Sequence, residues 1–301
     1  TRNILIAVSK EETIDPMLEL ALLMQPKKDE QNIFVLSVIS TDNDDRDLEE
    51  RRFKTYQDRM VANAAATDVI VTPLIRYDVN YVSGIQHTLE EKRIHEVIIG
   101  QDENEYTGRS ATGIKSQRLL DKCVQNVYLI HGMQPLNTLR NMTVVCSDQA
   151  EKEPSFPILM ERINTISVQL NSNIHYYSSR ETIRAIRQFN SKNKGPEVSF
   201  TVFDNWNDFL ILSREVGKED FFIVISARPG NVSYHSGLAD VPRHLAKYFG
   251  AYNYLLMYPD LYSDFSPTQS IEFERTGELL QQGMSQLGKT GDKLIKNILR
   301  P

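Results

Sequence analysis

Asn3–Ser9 reads NILIAVS, a short apolar run rich in β-branched residues, and Glu11–Met24 follows at once with apolar residues at helical spacing and Thr13 as an N-cap. That pair predicts a strand and a helix. The same alternation recurs: Ile33–Ile39, Val69–Ile75, Val97–Gly100 and Val127–Ile130 read as strands, separated by helices over Leu48–Ala65, Val82–Lys92 and Ala111–Lys122. Each return to a parallel strand needs a crossover, so this order predicts an α/β fold, a doubly wound parallel sheet with helices on both faces.

Gly132–Asn141 is a polar segment containing Pro135, and beyond it the alternation restarts at Met142–Ser147, MTVVCS. Strands are expected at Ile174–Tyr177, Val198–Phe203, Phe221–Ser226 and Tyr254–Tyr258. Helices are expected across Phe156–Leu170, Glu181–Phe189, Trp206–Arg214 and Val241–Phe249. The organisation that follows is two tandem doubly wound domains, over 1–134 and 141–262, and a C-terminal helical tail over 263–301. In the tail Glu272–Leu299 is amphipathic with a break at Gly288–Gly291, and docking on the sheets or on a partner is its expected role.

Composition narrows the classes. The 301 residues are 41% hydrophobic and 25% charged, the balance of a folded globular chain. A net charge of −6 argues against a partner held by its phosphate backbone, so no nucleic acid is expected. The acids crowded into Asp42–Glu50 read as a solvated loop and helix start. Cys123 and Cys146 are too few for a disulfide framework and fit a reducing compartment, both as structural residues. No run approaches the roughly 18 apolar residues of a membrane span. The chain opens on Thr1 rather than Met, which suggests a piece of a longer polypeptide.

In a doubly wound sheet, ligands bind beyond the carboxyl ends of the strands where the order reverses, here the loops after Ser9 and Gly100. After the fourth strand the chain reads Gly100-Gln-Asp-Glu103, nine residues, then Gly113-Ile114. This spacing resembles the universal stress protein fingerprint, in which glycines and a hydroxyl wrap the phosphates of ATP against a helix N-terminus. Gly100 and Gly113 occupy the first and third glycine positions. Glu103 stands at the second and Ile114 at the hydroxyl, so the resemblance implies a degenerate loop for ATP or AMP. The Asp that ends the first strand of nucleotide-binding members is absent from Ser9-Lys10-Glu11. In the second series Ser226, Pro229 and Ala239 stand at the glycine positions. Arg228 and the Gly230 backbone could receive an anion there, or form a structural turn.

Two further blocks, Ile225–Asp260 and Arg76–Ile85, resemble the cytoplasmic C-terminal region of bacterial cation:proton (sodium/proton) antiporters, which carry tandem repeats of the same family. That resemblance implies a non-catalytic regulatory or assembly domain on the cytoplasmic face of the bacterial inner membrane. Its partner would be the membrane domain of the same transporter, with homodimerisation through paired fifth strands. The alternatives are a stand-alone tandem universal stress protein binding ATP or AMP, and an α/β transferase or hydrolase of adenylated substrates. The last needs a phosphate loop after the first strand, which Ser9-Lys10-Glu11-Glu12 does not provide.

No catalytic residue and no metal site is expected, because the six histidines have no HxH, HExxH or CxxC context. Ser233–Ser236 reads as loop hydrogen bonding, Gly288-Lys289-Thr290 as a helix break, and Asp78–Asn80 as a helix cap. Trp206 and the aromatic residues Phe200, Phe203 and Phe209 are expected in the core.

Overall fold

VYLI and YLLMY are near-continuous apolar runs, the pattern of strands covered on both faces. In the computed structural model, which describes residues 2–26, 32–101 and 115–261, they form the middle of one sheet. The strands are β1 (Asn3–Val8), β2 (Asn32–Ser40), β3 (Val71–Asp78), β4 (Glu96–Gly100) and β5 (Asn126–His131). A second set follows, β6 (Asn141–Cys146), β7 (Asn173–Ser178), β8 (Val198–Val202), β9 (Asp220–Ile225) and β10 (Asn253–Tyr258). They lie in the order β3-β2-β1-β4-β5-β10-β9-β6-β7-β8. Each half therefore repeats one order, and all pairs are parallel except β5 with β10, which run antiparallel with Leu129 opposite Leu256.

Through this junction the two series join in one sheet, and residues Thr1–Ser263 form one compact unit. One expectation is corrected. The fifth strands do not pair across a free edge, because β5 already has β4 and β10 as neighbours. All six residues of each junction strand are buried.

Helices cover both faces. One carries α1 (Ile14–Leu23), α2 (Arg46–Ala65), α5 (Phe156–Leu170) and α6 (Arg180–Asn193), whose apolar sides meet Ile4, Ile6, Val8, Val144 and Ile223. The other carries α3 (Tyr81–Glu91), α4 (Lys115–Lys122) and α7 (Val241–Tyr248) over Leu5, Ala7, Leu129, Val224 and Leu256. The alternate residues of each strand divide between these layers, as the two-residue strand period requires.

Several local expectations hold. Asn80 caps α3, accepting from the Ser83 amide at 3.0 Å. Trp206 and Phe209 stack at 5.7 Å within the core. Two differ. Thr13 directs its hydroxyl back to the Lys10 carbonyl at 2.8 Å instead of capping α1, because Glu11–Thr13 forms a 3₁₀ turn there. Trp206–Arg214 is 3₁₀ rather than α-helical. The tail over 263–301 and residues 111–114 of the fourth expected helix lie outside the described residues.

Candidate functional site

The strand order reverses beside β1 and β4 in the first half and beside β6 and β9 in the second, so the fold makes two clefts at carboxyl strand ends. Their residues correspond through the hydrogen-bond ladder. Gly100 pairs with Ile130 and the next amide, Gln101, donates to the Ile130 carbonyl; Ile225 pairs with Met257 and the Ser226 amide donates to the Met257 carbonyl. Ile225, not Ser226, is therefore the structural counterpart of Gly100. By the same register Ser9 and Lys10 correspond to Ser147 and Asp148.

The first cleft is lined by Ser9, Lys10, Thr13, Tyr81, Gly100, Lys115 and Ser116. Lys115 opens α4 and its ammonium lies 5.5 Å from the Tyr81 ring centroid, while the Tyr81 hydroxyl donates to the Ala7 carbonyl. Gln101 is buried, and neither its amide nitrogen nor its oxygen has a partner. Two ammonium groups beside a helix N-terminus favour an anion. Gly100 is glycine for a different reason from phosphate approach: a Cβ there would sit 2.3 Å from the Thr13 Cβ. The space that its missing side chain leaves is filled by Thr13. Gly113, Glu103 and Ile114 lie outside the described residues.

The second cleft has opposite chemistry. The Ser147 and Ser226 hydroxyls, each one residue past the end of the adjacent strands β6 and β9, are fully buried and unpartnered. Asp148 Oδ1, Trp206 Nε1 and His235 Nε2 are buried atoms without a partner as well, with the Trp206 and His235 rings 5.6 Å apart. Burial pushes the Asp148 carboxyl up; His235 opposes this, and Asp204, Glu151 and Glu181 add to it. Asp148 has the strand-end position that the first series fills with Lys10. Its signal was available in Cys146-Ser147-Asp148, once the two strand ends are laid against each other.

Arg228 and Gly230 sit in the turn after β9. The Arg228 guanidinium is buried and donates to the carbonyls of Gln125 at 2.5 Å, Pro259 at 3.1 Å and Leu120 at 3.3 Å. It ties the end of β10 to the start of β5, and its Nη groups face carbonyls rather than solvent. Gly230 has φ +103°, so it serves the turn that a side chain would strain. In the same turn Ser233 donates both its amide and its hydroxyl to Glu153, each at 2.6 Å, which satisfies the loop-bonding expectation for Ser233–Ser236.

A further buried group was not anticipated from the sequence. Glu96 on β4 is fully buried and receives Arg162 of α5 at 2.5 and 3.0 Å, the Tyr128 hydroxyl at 2.6 Å and Arg2 at 2.9 Å. Burial alone would raise its carboxyl; the adjacent Arg162 charge and hydrogen bonds outweigh that and hold it low. Arg162 also donates to the Met24 carbonyl at 2.8 Å, so a second-half helix is fastened to first-half backbone. Among the described residues no cluster of three or more His, Cys, Asp or Glu side chains is placed to hold a metal, and no helix is long and apolar enough to cross a membrane.

No protein-family model matches the chain, and no curated protein matches its sequence. Solved structures do match its fold. A universal stress protein from Archaeoglobus fulgidus DSM 4304 superposes with a TM-score of 0.59 at 12% identity, over 86% of this chain and 96% of that one. A protein of unknown function from Pseudomonas aeruginosa PAO1 gives 0.56 at 11% identity, over 86% and 93%. These matches show the fold: an α/β fold with a mostly parallel central sheet, similar to that of universal stress protein-like structures. The cytoplasmic domain of a prokaryotic cation chloride cotransporter shares it, with a TM-score of 0.53 at 13% identity over 86% and 96% of the two chains.

Proposed function

We propose that the chain is a non-catalytic regulatory or assembly module of a bacterial cation:proton antiporter, its two halves being tandem universal stress protein-like domains with a degenerate nucleotide cleft. It works at the cytoplasmic face of the inner membrane, and the membrane domain of the same transporter is its partner. The observation that carries the degenerate cleft is Thr13 filling the space beside Gly100, where a phosphate-binding glycine would admit ligand oxygens to its backbone. The use of this fold as a transporter's cytoplasmic domain supports the rest. Reading the gene upstream of Thr1 tests it. A continuous frame encoding about ten apolar spans, each of roughly 20 residues, is expected; a short gene without them overturns the transporter reading.

A second reading is a stand-alone universal stress protein binding ATP or AMP, and Lys10, Lys115 and the buried amide of Gln101 favour it. Calorimetry with AMP, and with ATP and magnesium, separates the two. The degenerate cleft predicts weak or undetectable heat. Micromolar binding that falls at least about tenfold in Lys115→Ala, a loss of roughly 1.4 kcal/mol, would establish the second reading instead.

A further inference from the structure

The sheet ends on two edges that differ in kind. Along β3, Pro73 interrupts the row of amides, and Arg76 and Tyr77 reach to Glu91 and Glu50. Proline and charge are the usual means by which a sheet edge is kept from pairing. The opposite edge, β8, has neither: Val198-Ser-Phe-Thr-Val202 is uncharged and proline-free, and Val202 is 44% exposed. Its order reads the same in both directions once Ser199 and Thr201 are counted alike.

We propose that β8 is a homodimerisation edge, at which two copies of the chain pair antiparallel about a two-fold axis through Phe200. An isologous contact requires that if one residue meets another, the second meets the first. With the axis at Phe200, Val198 faces Val202 of the second copy, Ser199 faces Thr201, and Phe200 faces itself. Both ends of the strand then match, with Val198, Phe200 and Val202 on one face and the Ser199 and Thr201 hydroxyls on the other. An unrelated partner strand would need no such symmetry in β8.

The strand is also pre-ordered. His175 holds the Ser199 and Thr201 hydroxyls at 2.6 and 2.8 Å, while Phe200 stacks on Tyr176 and lies 4.8 Å from the Arg187 guanidinium. Ordering before contact lowers the entropy lost on association. The antiparallel joint of β5 with β10 closes two half-sheets in the same manner, and a β8 joint continues that ladder into a second copy. Five residue pairs make a small contact beside the roughly 1,600 Å² of a standard interface, so this dimer dissociates on dilution. The inference is independent of any transporter role.

Sedimentation velocity on the whole chain, from low to high micromolar concentration, is the test. The expected result is a rise from 34.6 kDa toward twice that mass. Val202→Glu should abolish the rise with an unchanged thermal melt, since it places a carboxylate against Val198 of the second copy. Val198→Lys added to Val202→Glu should restore it, because every lysine then faces a glutamate in this register. A wild-type chain that stays monomeric throughout overturns the proposal without recourse to any variant. Association that survives Val202→Glu, or that the double variant fails to regain, overturns it equally.

Discussion

The two halves of the sheet repeat one strand order, yet position by position their buried chemistry diverges. Glu96, Tyr128, Gly100 and Lys10 in the first half correspond to Phe221, Leu255, Ile225 and Asp148 in the second. Where the first-half strands bury the Glu96 carboxylate and the Tyr128 hydroxyl, the matching second-half strand positions are apolar; where the first cleft presents ammonium groups, the second presents a carboxylate. A backbone order constrains where a cleft forms and leaves its electrostatics to single substitutions.

The buried ion pair gives the largest way to break that comparison. Arg162→Met strips Glu96 of its main counter-charge, and about 3–5 kcal/mol of stability should be lost, read from the midpoint of urea unfolding. The triple variant Glu96→Leu, Tyr128→Phe and Arg162→Met makes the network apolar, as the second-half strand positions Phe221 and Leu255 are, and should recover most of the loss. Failure to recover would mean that the network also specifies how α5 meets the first half. Because the Glu96 carboxyl is held below its ordinary value, its stabilisation is complete above that value and disappears as pH falls through the native one. Glu96→Gln should therefore flatten the acid limb of the stability profile.

Next in size is the Gly100 position. Gly100→Ala drives a methyl into Thr13 and should cost about 1–3 kcal/mol, the usual range for overpacking. Thr13→Gly should relieve it, which a double-mutant cycle would show as coupling between the two sites. Independent effects would mean that Gly100 is required for something other than Thr13, and would return it to the ligand.

Much of the architecture was legible because it rests on local pattern. All ten expected strands occur, with ends shifted by up to three residues, since runs such as FFIVIS and YLLMY bury alternate residues on two helical layers. The single sheet was not legible. Whether β5 meets another copy or β10 depends on contacts more than a hundred residues apart, and apolar runs record burial without recording the neighbour. Glu96 was passed over for a similar reason: its partner Arg162 lies 66 residues away, so a strand starting with Glu reads as one starting at the surface. Arg228 was considered as an anion ligand because a sequence shows an arginine in a loop and not the carbonyls of Gln125 and Pro259 that it meets. Asp148 belongs to no motif, and a single carboxylate after a strand gains meaning only when the ends of β1 and β6 are laid against each other.

The smallest effect tests whether the second cleft is strained by its own charge. Asp148 is half-buried, its carboxyl is raised chiefly by that burial, and Asp204, Glu151 and Glu181 add to the shift against His235. A raised value means that the folded chain holds this proton more tightly than the unfolded one. The group is neutral in both states at low pH and opposes folding once both have ionised. Asp148→Asn should therefore raise the melting temperature by about one or two degrees near pH 7, and the gain should vanish as pH drops below the ordinary carboxylate range. Calorimetric melts of the two proteins across that range check it. A variant less stable than wild type at pH 7 would show that the carboxylate is held by a favourable partner, and the contrast with Lys10 would then lie in what each cleft binds.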